Sequence, residues 1–305
     1  MGYEKSNLQR VLEAGHFAVT GEVGPPMSAD ADIVRNKARE LVGLVDSVNV
    51  TDCQTAIVRM SSVAASCLLL DEGVEPILQM TCRDRNRIAI QSDLLGAHAL
   101  GIRNLLVLSG DHQRFGNHPQ SKNVFDVDSI QLIKALRTQM GEGVFMSGSK
   151  TKAPAHFYLG ASANPFADPE ELQIIRLEKK INAGAQFIQT QAIYNVERFK
   201  SWMEKIRARD LHEKAHIIAG IVVNKSLKSI EMTGLVPGMD IPEPLIKRMH
   251  DADDKQAEGV AIALDLINEI RHIEGVHGLH IMAIGWEEIV PDILEKAGLL
   301  PRPKV

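Results

Sequence analysis

The sequence has few aromatic residues, few cysteines and no long apolar run. Phe, Trp and Tyr make up 4% of the 305 residues, which argues against a surface that stacks nucleic-acid bases. Its three cysteines include no C-x-x-C pair and are too few for a disulfide framework, a usage typical of a reducing cytosol. We therefore expect a cytoplasmic protein. Because no run approaches about 18 apolar residues, we expect no membrane-spanning helix.

Several nucleotide-binding and catalytic motifs are also missing. No G-x-G-x-x-G fingerprint follows a predicted strand, and neither a P-loop nor a G-x-S-x-G elbow occurs. His112 and His118 share one loop, but no H-E-x-x-H motif or Cys/His cluster accompanies them, so we expect no metal site. The net charge of −5 gives no overall attraction for nucleic acid or an anionic membrane, and we expect neither as a partner.

Short apolar runs alternate with longer amphipathic stretches along the chain. Continuous apolar runs are typical of parallel strands that are buried on both faces. Eight strand–helix units in 305 residues predict a single domain over residues 1–305, an α/β fold of the (β/α)8 TIM barrel type. An open doubly wound sheet is the alternative, but it normally has fewer units. The strands are predicted at 16–22, 45–52, 75–82, 104–111, 156–162, 185–191, 215–223 and 278–284.

Two acidic residues lie where predicted core strands end. Glu22 follows the first apolar run in the segment GEVGPP, and Asp111 follows the fourth in NLLVLSGD. A carboxylate in such a place needs partners, because burying an unpaired charge is costly. In a barrel both acids would lie at the carboxyl-end mouth, where active sites are built. The pattern alone leaves open whether they share a catalytic site or are two unrelated capping acids.

The stretch after the fifth strand carries two further signals. Asp168 precedes Pro169 and is predicted to be the N-cap of the next helix. Lys179 and Lys180 lie near the end of that helix, where the helix dipole alone favours lysine. An anion-binding role for Lys180 is the alternative.

Together these segments resemble the methylenetetrahydrofolate reductase family, whose members are flavin-dependent barrel enzymes of one-carbon metabolism. The resemblance extends over residues 16–299 and follows, in order, the motifs GEVGPP, VNVTD, QMTCRD, NLLVLSGD, KKINAGAQFIQTQ and AGIVV. It implies an oxidoreductase that reduces 5,10-methylenetetrahydrofolate to 5-methyltetrahydrofolate. It also implies FAD as the cofactor, with FMN as the alternative flavin.

The resemblance assigns roles to matching positions. Glu22 matches the general acid that protonates N10 of the folate, which opens the five-membered ring to a 5-iminium cation that accepts hydride from flavin N5. Asp111 matches an acid beside the flavin and the pterin that stabilises this cation, and Gln191 matches a glutamine that orients the folate. The matching flavin contacts are Thr51, Gly110 and Lys180.

Three single positions and one three-residue segment depart from the family pattern. Gln79 stands where many relatives have a histidine that contacts the flavin, and Asn164 stands where some relatives have a tyrosine at the flavin. We still expect both residues to contact the flavin. Leu227, expected at the folate site, stands where some relatives have a stacking aromatic residue, and Ile284-Gly285-Trp286 replaces Leu-Asn-Arg. We therefore expect either NAD(P)H or an electron-transferring partner, such as an iron–sulfur subunit, as the reductant. We also expect an oligomer or a hetero-complex.

Two other interpretations stay open on the sequence. One is a folate- or flavin-binding subunit with no turnover of its own. The other is a flavin-free barrel such as a pterin methyltransferase or an aldolase.

Overall fold

A computed structural model describes residues 4–305 and has eight parallel strands in one closed barrel. Each strand pairs with its neighbours in the sequence, and β8 closes on β1 through the pair Ala18 and Gly278. The predicted (β/α)8 fold is confirmed. The strands are β1 (Ala18–Val23), β2 (Ser47–Val50), β3 (Pro76–Thr81), β4 (Asn104–Leu108), β5 (Tyr158–Ala163), β6 (Phe187–Ala192), β7 (His216–Val222) and β8 (Val276–Met282).

Helices surround the strands and bury an aliphatic core between the two layers. Within residues 4–305, none of them is both long and apolar enough to cross a membrane. The helices are α1 (Asn7–Glu13), α2 (Ala31–Arg39), α3 (Ser62–Asp71), α4 (Arg87–Ala99), α5 (Ser129–Thr138), α6 (Glu170–Ala183), α7 (Val196–Arg207), α8 (Leu211–Lys214), α9 (Leu227–Gly234), α10 (Glu243–Asp251), α11 (Lys255–Ile270) and α12 (Val290–Lys296).

All eight predicted strands overlap observed ones, but two details were wrong. β4 ends at Leu108, so Asp111 belongs to the loop after the strand and not to the strand itself. Asp168 does not cap α6: the extended Pro169 occupies the N-cap position and the helix begins at Glu170. The Asp168 side chain is therefore one residue too early to cap the helix, and it lies 3.6 Å from Arg198 instead.

The amino end of the barrel is closed by α1. Leu8, Val11 and Leu12 of this helix pack into one apolar cluster with side chains from the barrel interior, including Ile77. The carboxylate of Glu75 accepts hydrogen bonds from the first backbone N–H groups of the helix, at 2.6 and 3.1 Å, which suits the positive end of the helix dipole. The accessible end of the barrel is consequently the carboxyl end.

Candidate active site

Four polar side chains form a layer across the barrel interior, above the apolar cluster at its amino end. Thr20, Asn49, Gln189 and His280 come from β1, β2, β6 and β8, and all four are buried. The amides of Asn49 and Gln189 bond to each other at 2.6 and 3.2 Å. His280 Nδ1 lies 3.0 Å from Thr20 Oγ1, and its Nε2 lies 3.3 Å from Asn49 Nδ2. A buried network with its members paired holds each side chain in one orientation.

Glu22 lies next to this layer on the side of the mouth. It is the next inward-facing residue after Thr20 on β1, since alternate residues of a strand share a face. Its Oε2 is 3.5 Å from His280 Nε2, and its side chain is 12% exposed. Glu22 therefore stands between a fixed hydrogen-bond network and the open end, where it can exchange a proton with a bound ligand.

A cavity of about 220 Å³ opens above Glu22, and we call it the central cavity. Its walls include Thr51, Gln79 and Gln191, three of the predicted site residues, together with Gln54. Among the residues from 4 to 305, Thr51 Oγ1 and Gln54 Oε1 are buried without a hydrogen-bond partner. Other buried polar atoms of the described residues also lack a partner, but these two belong to residues in the wall of the central cavity. Since buried polar atoms are nearly always paired, this part of the wall is a candidate place for a polar ligand.

Asp111 lies on the rim and does not line the central cavity. Its side chain is exposed, and its Oδ2 accepts a hydrogen bond of 2.9 Å from the backbone N–H of Thr55 in the loop after β2. Arg83 joins the same two loops by donating to the carbonyl oxygens of Asp111 (2.9 Å) and Cys53 (3.2 Å). The loops after β2 and β4 are therefore fastened to each other at the edge of the mouth.

Gly110 is required by the path of the loop after β4. Its φ is +87°, which L side chains rarely adopt, and a Cβ would lie 3.1 Å from the Cβ atoms of Thr81 and Arg83. The loop thus passes directly over the end of β3. A glycine in this place lets backbone and ligand approach closely.

The loop after β2 holds three non-glycine residues in the left-handed region. Cys53, Thr55 and Ala56 have φ of 45°, 54° and 56°. Each such residue costs about 1 kcal/mol or more and persists only where the surroundings impose it. A Cβ on Gly116, in the loop after β4, would meet the carbonyl oxygen of Ala56 at 1.8 Å. Close packing against the β4 loop therefore helps to hold the strained turn.

Lys180 approaches the mouth from outside the barrel. It extends from α6 and donates a hydrogen bond of 2.6 Å to the carbonyl oxygen of Ser162 on β5. Burial, with a smaller contribution from Arg176, lowers the pKa of Lys180 to about 8. Asn164 follows β5 and bonds to backbone atoms of Phe166 and Pro237, so its side chain does not line the central cavity.

The remaining predicted positions lie after β7 and β8. Leu227 is the first residue of α9 and packs, partly buried, against the aliphatic core. Trp286 is 8% exposed, whereas Ile284 is 61% exposed. Lys225 Nζ donates to the carbonyl oxygen of Gly285 at 2.8 Å, which joins the ends of β7 and β8.

The buried polar layer distinguishes the central cavity from the others. Asn49, Gln189 and His280 belong to its walls and line none of the other cavities found among residues 4–305. A groove of about 520 Å³ lies outside the barrel between α7, α10 and α11. His118 lines a cleft of about 380 Å³ between the loops after β2, β3 and β4. No group of three or more His, Cys, Asp or Glu residues within 4–305 could hold a metal ion. We therefore take the central cavity as the candidate site, because binding sites combine a cavity with a few placed polar groups.

Sequence reasoning missed the polar layer and Gln54. Asn49, Gln189 and His280 each interrupt an apolar run, and alternation along the strands would have placed them on the inner face. Gln54 had no such signal. Its position depends on the left-handed turn formed by Cys53, Thr55 and Ala56. Because this turn contains no glycine, the sequence does not predict it.

These features define a (β/α)8 barrel with its candidate site at the carboxyl ends of the strands. A family model described as methylenetetrahydrofolate reductase matches residues 7–298. The chain therefore belongs to the methylenetetrahydrofolate reductase family, as the motifs predicted.

Individual relatives are distant. Methylenetetrahydrofolate reductase 1 of Schizosaccharomyces pombe is 26% identical over 238 residues, which cover 75% of this chain and 37% of the yeast protein. The 5,10-methylenetetrahydrofolate reductase of Buchnera aphidicola is 25% identical over 229 residues, covering 71% of this chain and 68% of that protein. The chain thus spans well under half the length of the yeast relative.

A solved structure shares the fold. It is an uncharacterized protein from Clostridium thermocellum that binds two copies of 5-methyl-5,6,7,8-tetrahydrofolic acid. The TM-score is 0.68 at 16% identity, and the match covers 96% of this chain and 98% of that one. At this identity the likeness supports the barrel architecture alone.

Proposed function

We propose that this protein reduces 5,10-methylenetetrahydrofolate to 5-methyltetrahydrofolate with a bound flavin. The observation that carries the proposal is the position of Glu22. It is an acid at the carboxyl end of β1, next to a buried polar layer and in the wall of the central cavity. Membership of the family supports the reaction, and the chemistry requires an acid at this place.

Glu22 is the proposed general acid. Opening the five-membered ring of the substrate needs a proton at N10, and a positioned carboxylic acid can supply it. His280 Nε2 lies 3.5 Å from Glu22 Oε2, so the imidazole stands beside the carboxyl group. The hydrogen bond between His280 Nδ1 and Thr20 in turn orients the imidazole.

Asp111 and Gln191 are the proposed partners of the opened substrate. Protonation at N10 leaves positive charge at N5, and a fixed carboxylate nearby lowers the energy of that cation. In the free protein Asp111 accepts a hydrogen bond from Thr55 N, so its carboxylate is held at the rim. Gln191, in the wall of the central cavity, would orient the pterin. Leu227 is proposed as a further substrate contact outside that wall, since its side chain packs partly buried against the aliphatic core.

The residues at the mouth fit a flavin. Thr51 has a buried hydroxyl without a partner, Gly110 lets the loop after β4 pack closely over the end of β3, and Lys180 brings a cation to the end of β5. We also propose flavin contacts from Gln79, in the wall of the central cavity, and from Asn164, whose amide bonds to the backbone of Phe166 and Pro237 in the free protein. When bound, a flavin supplies the hydride of the reaction. We propose FAD as this flavin, with FMN as the alternative.

The source of electrons is a separate part of the proposal. Relatives are named for either NADPH or NADH. Leu227 gives this chain an aliphatic side chain where a stacking aromatic residue would hold a nicotinamide. We therefore propose that a partner protein, of the iron–sulfur class, delivers electrons to the flavin. Rapid reduction of the flavin in the isolated chain by NADH or NADPH would contradict this part.

An absorption spectrum followed by anaerobic turnover tests the proposal. The purified protein should show bound flavin, and dithionite-reduced protein should convert methylenetetrahydrofolate to 5-methyltetrahydrofolate. Because dithionite reduces a bound flavin directly, this test does not depend on the natural electron donor. A colourless protein that takes up no flavin would indicate a flavin-free barrel. A protein that binds flavin and folate but turns over nothing would be a binding subunit.

A further inference from the structure

Gln54 occupies a place in the mouth that the reaction described above does not use. Its side chain lines the central cavity and also a second cavity of about 190 Å³, which we call the side cavity. Within residues 4–305, only Glu22 and Gln54 belong to the walls of both cavities. The amide of Gln54 is therefore next to the proposed general acid.

The carbonyl oxygen of this amide has no partner. Gln54 Oε1 is buried and accepts no hydrogen bond from any residue between 4 and 305. It points towards the chain at Gly24, where a Cβ would be 3.6 Å from Oε1 and 3.8 Å from the equally unpartnered Thr51 Oγ1. Two unpartnered oxygens thus lie close together beside Gly24, two residues beyond Glu22, and both belong to residues in the wall of the central cavity.

The backbone around Gln54 is held in a costly conformation. Cys53, Thr55 and Ala56 all have positive φ, and the bonds from Arg83 to Cys53 O and from Thr55 N to Asp111 keep the turn in place. Strain of this kind collects where function requires a particular orientation. An unpaired acceptor on Gln54 and a strained backbone at its neighbours are two independent costs.

We propose that Gln54 is a substrate-binding residue, whose Oε1 accepts a hydrogen bond from an N–H group of the reduced pterin. This inference rests on the proposed function. A tetrahydropterin carries several ring and exocyclic N–H donors. Because Oε1 is covered in the free protein, a donor in the central cavity would satisfy this acceptor after a rotation of the Gln54 side chain towards the ligand. Gln54 then holds the pterin beside Glu22, while Glu22 moves the proton.

Removing the acceptor should weaken binding without weakening the fold. Gln54→Met keeps the length of the side chain and removes the acceptor, so the dissociation constant for 5-methyltetrahydrofolate should rise about tenfold. The midpoint of thermal unfolding should stay the same or rise, because an unpaired buried oxygen is no longer present. Gln54→Glu keeps an acceptor and should bind more tightly than Gln54→Met.

Gln113→Met is the matched control. Gln113 Oε1 is likewise buried without a partner within residues 4–305. Gln113, however, lines the cleft of about 380 Å³ between the loops after β2, β3 and β4 and not the central cavity. The dissociation constant of Gln113→Met for 5-methyltetrahydrofolate should stay within about twofold of the wild-type value. Binding is measured by calorimetry, independently of turnover, and Gln54→Ala replaces Gln54→Met if the latter does not fold.

The outcomes separate this inference from the proposed function. Failure of the wild-type protein to bind 5-methyltetrahydrofolate would remove the proposed function itself. Wild-type binding that Gln54→Met leaves unchanged, or weakens no more than Gln113→Met does, would overturn the role of Gln54 alone. Loss of the fold in both Gln54→Met and Gln54→Ala would also overturn it, because the side chain would then be structural.

Discussion

At the amino end of the barrel, apolar side chains of α1 fill the interior, and a buried ion pair ties Arg302 near the end of the chain to Asp46 before β2. At the carboxyl end, the interior is lined by an acid, amides and hydroxyl groups, and the loop after β2 is strained. In barrels of this kind, chemistry is confined to the carboxyl end and stability to the amino end. The comparison predicts that substitutions at the carboxyl end should change activity, whereas substitutions at the amino end should change the free energy of unfolding.

Glu22→Gln should have the largest effect and should change activity alone. The amide cannot donate a proton to N10, so methylenetetrahydrofolate reduction should fall by about 10²–10⁴-fold. Because Gln keeps the shape of the side chain, the flavin spectrum and the midpoint of thermal unfolding should be retained. Single-turnover reduction by dithionite-reduced protein measures the effect directly.

Glu287→Gln is the matched control for Glu22→Gln. Glu287 lines the side cavity next to Glu22, but its carboxylate is paired with Lys37 at 2.6 Å. The same acid-to-amide change there should leave the rate within about threefold of wild type. Equal losses of activity in the two variants would show that Glu22 acts through local charge and not as the proton donor.

Arg302→Met should have the largest effect at the amino end and should change stability alone. Arg302 and Asp46 have side chains 9% and 1% exposed, and Arg302 also donates to Phe17 O at 2.7 Å. Removing one partner of a buried pair leaves a buried charge unpaired and costs about 3–5 kcal/mol of unfolding free energy. Urea unfolding measures the loss, and KM for the folate should not change.

Arg87→Met, at the start of α4 on the opposite end of the barrel, is the control for that pair. Arg87 bonds to Asp126, but the two side chains are 52% and 30% exposed. Exposed ion pairs contribute little to stability, so this variant should lose far less than Arg302→Met. Similar losses of unfolding free energy in the two variants would mean that the buried ion pair at the amino end stabilises the fold no more than the exposed pair does.

The sequence predicted the architecture well because eight apolar runs of strand length carry it. Glu22, Thr51, Gln79 and Gln191 were predicted at the mouth and do line the central cavity. Asp111 and Asn164 lie outside that cavity, because the backbone turns after Leu108 and after Ala163 direct them elsewhere. Loop geometry of this kind depends on contacts between distant loops, such as Thr55 N to Asp111, which no local pattern reveals.

Asn49→Leu should affect both stability and rate, because the polar layer lies between the two ends. The change leaves Gln189 without its reciprocal amide partner and removes the contact to His280 Nε2. Unfolding free energy should fall by about 1–3 kcal/mol, the cost of unpaired buried polar groups. A freer His280 should also lower kcat more than it raises KM. A variant with wild-type kcat would show that the layer does not orient Glu22.

The smallest effect should come from the histidines at the amino end. His216 on β7 and His277 on β8 have ring centroids 5.0 Å apart. Burial, with His216 and His212 nearby, lowers the pKa of His277 to about 4, and burial also lowers the pKa of His216, which Glu13 partly opposes. In the unfolded chain these groups titrate near 6.5. Between pH 6.5 and 4 the unfolded chain therefore binds more protons than the folded one, so the unfolding free energy should fall as the pH is lowered.

His277→Gln tests this dependence. Glutamine can still accept the hydrogen bond that Ile217 N–H donates to His277 Nδ1 at 3.1 Å, but it has no proton to gain. Urea unfolding at pH 7 and at pH 5 should show a smaller loss of stability for the variant than for wild type, with little difference between them at pH 7. His250→Gln is a fitting control because that imidazole is 70% exposed, beside Asp251. If both variants lose as much unfolding free energy between pH 7 and pH 5 as wild type does, the acid sensitivity resides in groups other than the buried histidines.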